Sequence, residues 1–64
     1  MKKHERTELE RTEVTLAAGL IDVDCAARTV SALVRAASWK ARHELIDAGH
    51  RLGLHRSNDW IIFN

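Results

Sequence analysis

Through the middle of the chain, apolar residues recur at the spacing of a helix, and towards both ends that rhythm fades. Ala26, Val30, Leu33, Val34 and Ala37 share one side of a helix that starts near Cys25, while Arg28, Ser31 and Arg35 point elsewhere. Asp22-Val-Asp24 supplies two N-cap candidates, and Asp24 is the one expected to cap. Ser38 interrupts the pattern and is the expected N-cap of a second helix. There Ala41, Leu45, Ala48 and Leu52 form a stripe at i, i+4, i+7 and i+11, widened by Ile46. Gly53 suits the position just past the helix, where a left-handed turn costs glycine least. One or two residues separate the two helices, so they meet in a tight corner.

The ends read differently. Residues 2–12 are almost wholly charged or polar, and Thr7-Glu-Leu-Glu10 matches the capping-box pattern. Two readings stand for this segment: an exposed helical turn or two, or a frayed charged tail. Val14, Leu16 and Ala18 alternate with Thr15 and Ala17, which is strand spacing, although Leu9, Leu16 and Leu20 also fit a helical face. Gly19 marks a turn, and His55-Arg-Ser-Asn58 reads as a loop. Asp59-Trp-Ile-Ile-Phe63 is aromatic and β-branched, which is strand chemistry. A strand's backbone donors need partners, and residues 13–18 are the available ones. The expected architecture is therefore α+β, a β-α-α-β domain with two helices on a two-stranded sheet. The alternative is three helices with a C-terminal strand that pairs across a dimer.

With 64 residues the chain is expected to form a single domain, 1–64, that buries only about 60% of its unfolded surface. One cysteine excludes an intrachain disulfide and fits a reducing, cytoplasmic setting. A thin margin of stability makes a homodimer a reasonable expectation. No run approaches the roughly 20 apolar residues of a membrane span, so no membrane is expected as a partner. Met1-Lys-Lys-His-Glu-Arg leads into charge, unlike a secretory leader.

Net charge is +1, but its distribution says more. Residues 1–24 carry four basic and six acidic groups, a balance of −2. Residues 25–56 carry six basic and two acidic groups, a balance of +4, together with His43, His50 and His55. Such a basic stretch suits a polyanion, because lysine and arginine neutralise phosphates and release counterions. The candidate contact residues are Arg35, Trp39, Lys40, Arg42, His43, Arg51, His55 and Arg56. Trp39, at the corner, can stack on a base or anchor a protein contact. Trp60 reads as core.

Other chemistry finds little support. His43, Asp47 and His50 share one helix side, but the two histidines are seven residues apart, about 10 Å along the axis, too far to hold one ion. Cys25 reads as a structural thiol. No glycine-rich phosphate loop, nucleophile elbow or paired-carboxylate constellation is present, so no catalytic residue, metal or cofactor is expected and the chain reads as a non-enzyme.

Ser38, Arg42 and Gly53-Leu54 keep the spacing found in the small single-strand nucleic-acid-binding domain family named for its Arg-x-x-x-His motif, and the segment resembles that family's central helix. The match covers about a quarter of the chain, and Ile46 stands where the family has its histidine. The resemblance implies a nucleic-acid contact for Arg42. The expected β-α-α-β order resembles a minimal KH core in topology, without the Gly-x-x-Gly loop, and the helix pair resembles a helix-turn-helix module with a shorter turn.

Two functional expectations follow. The first is a small nucleic-acid-binding module for DNA or RNA that uses the basic helix surface. The alternative is a small regulatory or inhibitor protein, of the kind phages and plasmids encode, that binds and occludes a larger machine such as a CRISPR effector or a polymerase.

Overall fold

The structure, a computed structural model, describes residues 1–61. Three helices follow one another: α1, Lys3–Ala17; α2, Val23–Ala36; and α3, Trp39–Arg51. A 3-10 turn, Leu54–Arg56, comes next, and residues 57–61 cross α2 without regular structure. Helix α2 is central and packs against α1, α3 and the 3-10 turn. Among the described residues there is no strand, so the expected two-stranded sheet is wrong and the fold is a helical bundle.

The N-terminal strand expected at 13–18 is instead the end of α1. Glu5, Leu9, Thr12 and Leu16 face the core at i, i+4, i+7 and i+11, and only two of these positions are apolar. That is why the helical period was hard to see. The polar members are satisfied locally: Thr12 Oγ1 donates to the Glu8 carbonyl at 2.8 Å, and Glu5 Oε1 accepts the Lys2 backbone N–H at 2.8 Å. Helix α1 thus starts at Lys3, well before the Thr7 expected to cap it. Its end is a Schellman turn: the N–H of Gly19 reaches the Leu16 carbonyl at 3.1 Å and that of Leu20 reaches Thr15 at 2.9 Å. Gly19, at φ +74°, takes the left-handed position.

Helix α2 is capped by Asp22, which accepts the Cys25 N–H at 2.8 Å; Asp24, the expected cap, lies in the first turn and accepts from the Ser57 hydroxyl at 2.6 Å. Ala26, Ala27, Val30 and Val34 are fully enclosed. The two alanines let neighbouring elements come close without leaving a void. Ser38 caps α3 by accepting the Ala41 N–H at 3.3 Å, and Ala41, Leu45 and Ala48 are buried. Gly53 leaves α3 at φ +77°, and Leu54 behind it is fully buried.

The expected C-terminal strand fails for a specific reason. Residues 59–61 are held by two side chains of α2 and by a local backbone bond, which take the place of a partner strand. The backbone N–H of Ile61 donates to Ser31 Oγ at 3.0 Å, that of Trp60 to the Ser57 carbonyl at 3.2 Å, and Asp59 pairs with Arg28 at 2.7 Å. The remainder of that expected strand, residues 62–63, lies outside the described residues. Trp60 is only 5% exposed and lies over Gly49 of α3. No buried side-chain nitrogen or oxygen among the described residues lacks a hydrogen-bond partner. None of the described helices is long and apolar enough to cross a membrane.

Candidate interaction surfaces

The residues expected to form one basic surface all lie on the exterior, but they are divided among several places. Helix geometry explains the division. Lys40, Glu44, Asp47 and Arg51 run down one flank of α3 at i, i+4, i+7 and i+11, so two anions lie between two cations and the flank is neutral. Glu44 also lies 3.9 Å from the amino group of Met1. Trp39, His43 and His50 run along the outermost side of the same helix. Arg35 sits on the exposed side of α2, and Arg56 on the 3-10 turn.

Arg42 is committed elsewhere. Its Nε donates to the Val34 carbonyl and its Nη2 to the Ala37 carbonyl, each at 3.3 Å. These carbonyls belong to the open end of α2, where a cation also meets the negative pole of the helix. The guanidinium therefore ties α3 to the end of α2, although Arg42 remains exposed at the surface.

Three ring contacts do form among the described residues. The Trp39 ring, on a residue 75% exposed, meets His43 edge to face at 4.7 Å. His50 and His55 stack at 4.5 Å with 11° between their planes, and His50 also meets the edge of Trp60 at 6.1 Å. His50 thus pairs with His55 rather than with His43. No group of three or more His, Cys, Asp or Glu able to hold a metal occurs among the described residues. Cys25 is half-buried on α2.

The surface that sequence reasoning missed lies at the α1–α2 corner. Val14 is 67% exposed and Leu20 75%, with Val23, at 38%, also exposed and Ala17 and Ala18 open. Val14 points away from the core because it lies roughly opposite Leu9 and Leu16 on α1. Leu20 follows the left-handed Gly19 and, at 75% exposure, stays open to solvent. The legible signal was the eight-residue run Val14-Thr-Leu-Ala-Ala-Gly-Leu-Ile21, which holds no charge in a chain that is 30% charged. Exposed Asp22 and Asp24 follow it, and Glu10 and Glu13 precede it.

No protein-family model matches the chain, and neither a curated protein nor a solved structure matches it.

Proposed function

We propose that this chain is a small non-enzymatic regulator that docks on a larger protein through the α1–α2 corner. The observation that carries the reading is the exposure of Val14 and Leu20 within an eight-residue run that holds no charge. A small domain with a thin margin of stability gains nothing in folding from large apolar side chains left in water, whereas a protein partner would desolvate them. The division of the cations weighs the same way. Arg42 caps a helix and the α3 flank is neutral, so the broad positive field expected of a nucleic-acid surface is weakened.

The test places a photo-crosslinking residue at exposed Ala18, or at Lys40 as a comparison, and exposes the full chain to an extract of the cells that produce it. The expected result is an adduct from Ala18 that disappears when Val14→Ser and Leu20→Ser are combined, and that re-forms with the identified protein after purification. Adducts from Lys40 alone, or an adduct indifferent to the double substitution, would overturn the reading.

A second reading rests on exposed Trp39 with Lys40 beside it, an aromatic and a cation suited to single-stranded nucleic acid. It requires salt-dependent binding of an oligonucleotide that is lost with Trp39→Ala.

A further inference from the structure

We infer that the site this corner enters is an apolar pocket bordered by lysine and arginine, the kind of protein surface built to hold a polyanion. The inference rests on the docking reading above and adds the chemistry of what faces the corner. The apolar residues are framed by exposed carboxylates, Glu10 and Glu13 along α1 and Asp22 at the start of α2, while Asp24 is engaged by the Ser57 hydroxyl at 2.6 Å. Two cations of the same helices are already paired, Arg11 with Glu8 at 2.8 Å and Arg28 with Asp59 at 2.7 Å. An apolar centre with a charged border is the ordinary anatomy of a protein interface.

The sign of that border selects the partner. A second copy docked corner to corner about a two-fold axis would set the same carboxylates against one another. Nucleic acid meets the same repulsion, because its phosphates carry the charge of the border. A cation-bordered apolar pocket satisfies both parts at once. The chain then occupies a place otherwise open to a polyanion and blocks it by competition.

The test uses the full chain with the crosslinker at Ala18 and follows adduct yield against salt, against heparin as a polyanion probe, and against charge. Raising salt from ~0.1 to ~1 M shortens the screening length from ~10 to ~3 Å and is expected to cut the yield severalfold. Saturating heparin is expected to do the same. Glu10→Lys with Glu13→Lys is expected to weaken capture roughly tenfold, since it removes two attractive contacts and adds two repulsive ones at the rim. Glu44→Lys with Asp47→Lys makes the same change in net charge on α3 and is expected to leave capture unaltered; circular dichroism verifies that both variants are folded.

Absence of any adduct from Ala18 overturns the docking corner itself, and the inference with it. An adduct that resists salt, heparin and the α1 reversals leaves the corner standing and overturns the cationic border. Equal losses from both charge variants overturn it as well, since net charge alone would then explain the effect. An adduct of twice the chain's mass overturns it in favour of self-association.

Discussion

Replacing Gly49 by alanine sets two physical effects against each other, and the structure decides between them. Gly49 lies inside α3 with an ordinary negative φ, where glycine costs about 1 kcal/mol relative to alanine. On helix propensity alone Gly49→Ala would stabilise the protein. But a Cβ built at Gly49 meets the six-membered ring of Trp60, with three ring carbons closer than 3.0 Å. The ring has little room to retreat, because Ser57, Asp59 and Ile61 on either side are tied to Asp24, Arg28 and Ser31. Overpacking of this kind costs about 1–3 kcal/mol, and expelling a buried tryptophan about 3–5 kcal/mol. Subtracting the gain in propensity leaves a net loss of about 0–2 kcal/mol if the ring stays and about 2–4 kcal/mol if it is expelled, the two meeting at about 2 kcal/mol. For a chain of this size that lowers Tm by about 10–15 °C.

Thermal and urea unfolding followed by circular dichroism would measure the loss. In a Trp39→Phe background, fluorescence would report Trp60 alone and should shift to the red as the ring is pushed towards water. The decisive control is a double-mutant cycle. With Trp60→Leu already in place the obstruction is removed, and Gly49→Ala should become neutral or stabilising by up to about 1 kcal/mol. A rise in Tm for Gly49→Ala alone would refute the packing of the C-terminal segment on α3.

Arg42→Ala should lower stability by about 1 kcal/mol and Arg42→Lys should recover little of it, because the guanidinium serves two carbonyls at once; unchanged urea midpoints would show that Arg42 is not a cap. Ser31→Ala should cost about 1–2 kcal/mol and accelerate hydrogen exchange at the Ile61 amide, since that donor loses its partner. Gly53→Ala should destabilise by about 1–2 kcal/mol, because a left-handed φ of +77° strains any residue with a Cβ even in open space. Val14→Ser and Leu20→Ser should leave Tm nearly unchanged while abolishing capture; a large drop in Tm would mean that these side chains belong to the core.

The parts of the fold whose signals are local were legible in the order of the residues. The Ser38 cap, the Ala41–Leu45–Ala48 stripe, the glycine exits at 19 and 53 and the burial of Trp60 depend on neighbours within a few residues or on side-chain size, and each is readable from residue type and spacing. Where backbone and side-chain polar groups find their partners depended instead on contacts that only the folded chain makes. Alternation at 14–18 looked like a strand because Thr12 and Glu5 stand where a helical stripe should be apolar, and their burial depends on hydrogen bonds within α1. The β-branched residues after Asp59 looked like a strand, yet their donors are met by Ser57 and Ser31, one of them a helix side chain thirty residues away. The basic stretch looked like one surface because sequence adds charges along a line. A helix distributes them around an axis, and folding tied Arg42 to the carbonyls at the end of α2 while it left Val14 and Leu20 facing water.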